Sequence, residues 1–114
     1  MAPTAAEEVA GLEDILMRLA LTDDEKLEKV LHKLVPAVIG ALRTPHDAAR
    51  KKALEVLSHV NKRLKAAPGV TLPLGQLVGM AAAQGGDPHP MVRSFALVYA
   101  ETAMERAGKA EKLS

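Results

Sequence analysis

The chain of 114 residues contains no cysteine. This absence excludes disulfide bridges, thiol catalysis and any zinc or iron–sulfur site that depends on cysteine ligands. Aromatic residues are nearly as scarce, because Phe95 and Tyr99 are the only two and there is no tryptophan. Since stacking on aromatic side chains is a common way to hold the bases of single-stranded nucleic acid, nucleic-acid binding is disfavoured.

An excess of one charge and long apolar runs are also lacking. Lys and Arg number 15 against 14 Asp and Glu, which gives a formal net charge of +1 and disfavours a strongly basic binder of nucleic acid. No apolar run approaches the roughly 20 residues that span a bilayer. The first residues are acidic, where a secretory or mitochondrial signal is basic. These features predict a soluble intracellular protein of one domain, without membrane binding.

No group of residues indicates catalysis or metal binding. Metal sites need several converging ligands, but neither an HxxxH spacing nor a histidine–carboxylate cluster occurs. Ser58 and Ser94 lack the base and orienting group that a nucleophile requires. The four histidines lie apart in the sequence, at His32, His46, His59 and His89. We therefore expect no enzyme activity, no cofactor and no metal.

A short segment of the chain occurs twice. TPHDAAR (44–50) returns as DPHPMVR (87–93), a spacing of 43 residues. A period of this length, with a proline-led turn and an arginine on the following helix, is typical of stacked helical repeats. We assign a structural role in the two repeat turns to Thr44, Pro45 and Arg50, and to Asp87, Pro88 and Arg93.

Helical spacing of apolar residues dominates the chain and predicts an all-α segment of about five helices, arranged as antiparallel hairpins. Pro36, inside the second helix, predicts a kink or break, although the apolar stripe that resumes after it favours one bent helix. The third helix, over 46–66, has the most regular apolar stripe, which consists of Ala49, Ala53, Val56, Leu57, Val60 and Leu64. The predicted organisation is an N-terminal helix over 5–20, repeat one over 22–66, repeat two over 70–107, and a fraying polar tail over 108–114.

The two repeat turns differ at their first position. Asp87 stands six residues before Arg93, so a carboxylate and a guanidinium can meet across the turn and fix the angle between two helices. We interpret this pair as architectural, because stacked repeats need fixed angles. Thr44 occupies the equivalent position in repeat one, which leaves Arg50 to contact Asp47, a neighbouring repeat or a partner.

The third helix carries a cationic run, RKKALEVLSHVNKRLK. Its basic side could meet an acidic protein surface, anionic lipid or nucleic acid, or could be an ordinary solvated face. Lipid ranks low, because the apolar stripe is needed for packing between helices. The candidate partner-contact face, called here the α3 basic face, consists of Lys51, Lys52, His59, Lys62 and Arg63.

Two resemblances arise from these residues. The second turn resembles the helix–turn–helix pattern of HEAT-repeat α-solenoids, through Asp87, Pro88, Pro90, Val92, Arg93 and Ala96. Residues 50–74 resemble, more narrowly, the N-terminal region of the proteasome adaptor and stabiliser scaffold family. That family consists of very large HEAT-repeat proteins that tether the proteolytic core of the proteasome to its regulatory particle. The similarity covers roughly residues 12–100, and the end of the last helix does not follow it.

The resemblance implies a non-enzymatic scaffold segment that binds proteasome subunits in the cytoplasm and nucleus. It also implies that neighbouring HEAT repeats cover the ends of the segment, so that the isolated chain is marginally stable or self-associates. Two alternatives stay open at this point. One is a generic α-solenoid interaction module unrelated to the proteasome, and the other is a basic-helix module that docks on membranes or nucleic acid.

Overall fold

The computed structural model describes residues 3–82 and 88–113, with side chains described as far as Gly108. Within these residues the chain forms helices and no strand, which confirms the all-α prediction. The five helices are α1 (Ala5–Leu21), α2 (Asp24–Ala41), α3 (Asp47–Ala66), α4 (Leu74–Ala81) and α5 (Pro90–Leu113).

Local hydrogen bonds explain the bounds of α1. The Thr4 hydroxyl accepts from the Glu7 backbone N–H at 3.2 Å, and the Glu7 carboxylate accepts from the Thr4 backbone N–H at 3.3 Å. This reciprocal pair satisfies donors that the first helical turn leaves free. At the other end the Thr22 hydroxyl donates to the Arg18 carbonyl at 2.6 Å. Thr22 therefore completes α1.

The break considered at Pro36 does not occur, because α2 runs as one helix from Asp24 to Ala41. Proline removes a backbone donor from the helix interior, which ordinarily destabilises it. Here Pro36 is itself buried, and Val35 and Val38 on either side are completely buried. Tertiary packing therefore keeps the helix continuous, as it does for most helices in proteins.

Helix α3 lies at the centre of the core. All six residues of its predicted apolar stripe are buried: Ala49, Ala53, Val56, Leu57, Val60 and Leu64. Ala53 and Ala96 are related by the 43-residue period, and neither has exposed surface. Small side chains at these two positions allow close approach of helices, as expected for a core with few aromatics.

Contacts at both ends of α3 show how the first three helices run. Near its start Thr44 binds Glu8 of α1, and near its end Arg63 binds the carbonyl of Leu19. Helices α1 and α3 are therefore parallel. Because Asp24 at the start of α2 also reaches Arg63, α2 runs antiparallel to both. This is the alternation expected for stacked helical hairpins.

The same relation continues into α5. Tyr99 contacts Leu57 near the middle of α3, and Arg106 contacts Leu64 near its end, so α3 and α5 are also parallel. The molecule measures 48 × 37 × 19 Å. A thickness of 19 Å matches two layers of helices of about 10 Å each. The described residues thus form a flat, two-layered segment.

The predicted tail is wrong in part. We expected the last helix to end near Gly108, whereas α5 continues to Leu113. A single glycine costs a helix only about 1 kcal/mol relative to alanine, and alanine, glutamate and lysine, which make up most of the next residues, favour helix. Gly108 therefore does not terminate α5. The polar composition of the tail does not by itself end the helix.

The connection between α3 and α4 is fastened to α2. The Glu28 carboxylate accepts from the Thr71 backbone N–H at 2.9 Å and from the Thr71 hydroxyl, and His32 Nε2 lies 3.2 Å from that hydroxyl. The hydroxyl hydrogen bond, followed by the backbone one, lowers the pKa of Glu28 below its ordinary value. The hydrogen bonds between Glu28 and Thr71 therefore stabilise the fold fully above the ordinary pKa of the carboxyl group. This stabilisation is lost as the pH falls through the lowered pKa.

Several large apolar side chains remain exposed. They are Met17, Leu21, Val78, Leu97, Val98 and Met104, each between 48% and 78% exposed. Two of them belong to α1, one to α4 and three to α5. Contiguous exposed apolar surface is where adjoining repeats or a second copy would pack. Self-association of the isolated chain stays a prediction.

Candidate interaction surfaces

The first repeat turn is built around Thr44, the one buried polar residue among those described. Its hydroxyl donates to the Glu8 carboxylate, with Oε1 at 2.7 Å and Oε2 at 2.8 Å, and accepts from the His46 backbone N–H at 3.1 Å. Arg50 donates to the Asp47 carboxylate at 2.8 Å and to the Thr44 carbonyl at 3.0 Å. Of the three partners considered for Arg50, Asp47 is the one observed.

The second repeat turn is only partly described. Pro88 is exposed, and the backbone N–H of Arg93 donates to the His89 carbonyl at 3.1 Å. Asp87 lies outside the described residues, so the predicted Asp87–Arg93 pair stays a prediction. Pro45, the counterpart of Pro88 in the first turn, is likewise exposed.

The α3 basic face is not one open surface. Lys51 and Lys62 are exposed. Lys52 lies 2.8 Å from the Glu55 carboxylate and 3.7 Å from that of Glu13. His59 is half-buried, and its Nε2 is buried without a hydrogen-bond partner among the described residues.

Arg63, the fifth residue of this face, is placed differently from our expectation. Its side chain is only 18% exposed. Nη1 donates to the Leu19 carbonyl at 2.7 Å, and Nη2 donates to the Thr22 carbonyl at 2.7 Å and to the Asp24 carboxylate at 3.2 Å. The last carbonyls of a helix lack partners within it and carry partial negative charge, so a guanidinium suits them. Arg63 therefore closes the C-terminal end of α1, and the expectation that it lies on an open face is wrong.

Arg106 repeats this arrangement 43 residues later. Its guanidinium donates to the carbonyls of Leu64, Ala67 and Val70 at 2.7, 2.9 and 2.7 Å. Like Arg63, it binds the third-last residue of a helix and the residue just beyond that helix. The fork of donors in a guanidinium makes this double contact possible. We call the two arginines the carbonyl clamps; they join α3 to α1 and α5 to α3.

A groove of about 290 Å³ lies between α3 and α5. The Tyr99 hydroxyl, at its floor, donates to Asn61 Oδ1 at 2.7 Å and lies 3.2 Å from the Leu57 carbonyl. Burial raises the pKa of Tyr99 to about 12, and the hydrogen bond to Asn61 opposes part of that rise. The groove is lined by Leu54, Leu57, Ser58, Asn61, Leu64, Ser94, Phe95, Val98, Tyr99 and Thr102.

The titration of Tyr99 is a direct test of this packing, because it is the only tyrosine and the chain has no tryptophan. Its folded-state pKa lies above the unfolded value of about 10. The fold thus favours the neutral phenol. The resulting contribution to the free energy of unfolding is present below about pH 10 and is lost as the pH rises toward 12. We expect phenolate absorbance near pH 12 for the folded chain and near pH 10 in urea. Coincident titrations in the two solvents would show that Tyr99 is not buried.

A second concave surface, which the sequence analysis missed, lies between α1 and α2. We call it the basic cleft; it has a volume of about 400 Å³ and is lined by Ile15, Arg18, Lys29, Val30, Lys33 and Leu34. Lys26 lies in the adjoining depression. The four basic residues are exposed, and none has an ion pair with another described residue. The spacing of Lys26, Lys29 and Lys33 places them on one side of α2 and was readable from the sequence.

Within the described part of the chain, no group of three or more His, Cys, Asp or Glu residues could hold a metal ion. None of the helices there is both long enough and apolar enough to cross a bilayer.

Comparison with known proteins identifies the family. A family model described as "Proteasome component ECM29, N-terminal" matches residues 12–114. The Drosophila melanogaster "Proteasome-associated protein ECM29 homolog" is 37% identical over 93 residues, which cover 81% of this chain and 5% of that protein. The Homo sapiens "Proteasome adapter and scaffold protein ECM29" is 32% identical over 108 residues, which cover 92% of this chain and 6% of that protein.

The chain thus spans only a small part of the length of these curated relatives. No solved structure matches it. The family match nevertheless covers most of the chain, from the middle of α1 onward, and includes both carbonyl clamps and the sequence segments of both repeat turns. The chain therefore belongs to the ECM29 family of proteasome components, as part of the N-terminal region of that family.

Proposed function

We propose that this chain is a non-enzymatic scaffold segment through which a larger protein associates with the proteasome. The observation that carries the proposal is the family match over residues 12–114. One relative is named a proteasome adapter and scaffold protein, and another is named proteasome-associated. Both names connect these relatives with the proteasome.

The structure supports a role in presenting surfaces. The carbonyl clamps and the Thr44 hydrogen bonds tie α1, α3 and α5 together at their ends. Helices held in this way offer extended, shallow faces of fixed shape, which is how α-solenoids bind partners. We propose that the chain binds by shape and surface charge, and that proteasome subunits are its partners. Neighbouring repeats would cover the apolar side chains exposed on α4 and α5.

Two finer proposals accompany this one. We propose that the parent protein links the core and the regulatory particle of the proteasome, with this segment holding one part of that link. We also propose that it resides in the cytoplasm and the nucleus. Fluorescence microscopy of the tagged full-length protein tests the second proposal, since a signal confined to another compartment would contradict it.

Affinity capture tests the association. The tagged chain, added to extract of its own source cells, is expected to enrich proteasome subunits over a tag-only control, as measured by quantitative mass spectrometry. A matched control is the Arg63→Ala, Arg106→Ala variant, which loses both carbonyl clamps and should lose the captured subunits with its fold. Recovery of no proteasome subunit by the folded chain would favour the generic α-solenoid module.

The remaining alternative, a basic-helix module for membranes or nucleic acid, has lost part of its basis. It relied on the α3 basic face, where Lys52 is paired with carboxylates and Arg63 closes a helix end. It predicts tight binding to DNA or anionic vesicles that falls steeply with salt and disappears when Lys51 and Lys62 are reversed in charge.

A further inference from the structure

We propose that the basic cleft between α1 and α2 binds an acidic amphipathic helix of a partner protein. The proposal depends on the chemistry of the cleft alone and does not require that the partner be a proteasome subunit. It differs from the sequence-based prediction, which placed the contact face on α3.

The floor of the cleft is apolar. Ile15 from α1, with Val30 and Leu34 from α2, lines it, and the cleft is open to solvent. Met17 and Leu21, which are 63% and 78% exposed, extend this apolar surface along α1 into the adjoining depression. An elongated apolar trough between two helices is the shape that accepts the apolar face of a third helix.

The sides of the cleft are positively charged. Arg18 lies on the α1 side, and Lys29 and Lys33 lie on the α2 side, so an occupant meets cations along both edges. Because these three groups, like Lys26 beside them, have no intramolecular ion pair with another described residue, they can bind carboxylates without breaking an existing contact. Complementary charges at the rim of an interface fix orientation and speed association.

A helix fits this surface better than lipid or nucleic acid does. Asp14 and Asp23 stand in the depression next to the cleft, where a continuous anionic surface would meet them. A helix carries discrete side chains and can leave these two carboxylates unopposed. Both aromatic residues of the chain belong to α5, so the cleft has no platform on which bases could stack.

The α3 face provides the contrast that makes the proposal specific. There, Lys52 and Arg63 are engaged within the chain, and only Lys51 and Lys62 of that face are exposed. The α1–α2 side therefore combines unpaired cations with an apolar trough. The α3–α5 groove has apolar lining too, but no basic residue lines it.

Fluorescence anisotropy tests the proposal with a synthetic labelled peptide of about 18 residues, long enough to form a helix. The peptide carries leucines at helical spacing on one face and glutamates on both flanks. We expect Lys29→Glu, Lys33→Glu to weaken binding at least about tenfold. The matched control is Lys51→Glu, Lys62→Glu on α3, which changes the net charge equally and should alter affinity by less than about twofold. If the first variant fails to fold, Lys29→Gln, Lys33→Gln replaces it.

Methyl NMR locates the binding site without mutation. The chain has only two isoleucines, Ile15 in the cleft and Ile39 in the buried core. With isoleucine methyl groups labelled, the peptide should shift the Ile15 signal and leave that of Ile39 in place. Shifts of both signals, or of neither, would overturn the assignment of the cleft.

Three further results would overturn the proposal. Equal weakening by the two charge-reversal variants would mean non-specific attraction. Tighter binding of phosphatidylserine vesicles or single-stranded DNA than of the peptide would identify a different class of partner. Dimerisation in sedimentation equilibrium, abolished by Leu21→Asp, would show that a second copy occupies this face. A peptide with lysines in place of its glutamates should not bind.

Discussion

Replacement of Arg63 by alanine is expected to lower the free energy of unfolding by about 2 to 3 kcal/mol. The change removes two short hydrogen bonds from a charged donor and leaves the carbonyls at the end of α1 without their partner. Because Arg63 joins α1 to α3 and also reaches α2, the loss affects three helices. Urea denaturation followed by far-ultraviolet circular dichroism measures it, and the melting temperature should fall by roughly 10 °C.

Two neighbouring substitutions show whether the clamp geometry is responsible. Lys62→Ala removes an exposed cation from the preceding position and should change stability by less than about 0.5 kcal/mol. Arg63→Lys keeps the charge but cannot span two carbonyls with one planar fork, so most of the loss should persist. Arg106→Ala should resemble Arg63→Ala. An Arg63→Ala protein as stable as Lys62→Ala would mean that the carbonyl clamp contributes nothing.

Much of the fold was predictable because it follows from helical periodicity. The apolar stripe of α3 matched the observed buried set residue by residue, since a helix buries one side whatever it packs against. The ends of helices were less predictable. Gly108 failed to stop α5, and the apolar residues around Pro36 kept α2 intact. In both places the local signal was weaker than the helix-favouring composition or packing around it.

The candidate site was predicted less well than the fold, for a physical reason. On a helical wheel Arg63 borders the apolar stripe of α3 instead of facing away from it, and α1 covers that border. Its equivalence to Arg106 could be read from the 43-residue period, yet the carbonyls that the two bind belong to neighbouring helices. The basic cleft shows the same limit, because only packing brings Arg18 beside Lys29 and Lys33.

At the first repeat turn, the repeat pattern and the structure predict opposite effects of the same substitution, Thr44→Asp. Asp87 stands in the second turn where Thr44 stands in the first, so the repeat pattern alone predicts that Thr44→Asp is harmless or helpful. In the structure Thr44 is buried and donates to the Glu8 carboxylate. Aspartate there loses the donor and places a second negative charge within hydrogen-bond distance of Glu8. We expect Thr44→Asp to destabilise the fold by about 2 kcal/mol at neutral pH.

Substitution of Glu8 tests whether its carboxylate causes the loss of stability in Thr44→Asp. Glu8→Gln alone should cost less than about 1 kcal/mol, because the amide oxygen still accepts from Thr44. Combined with Thr44→Asp, the amide can donate to the new carboxylate, so the double variant should regain most of the lost stability. A Thr44→Asp protein as stable as the parent, with no coupling to Glu8, would show instead that the repeat consensus governs this turn.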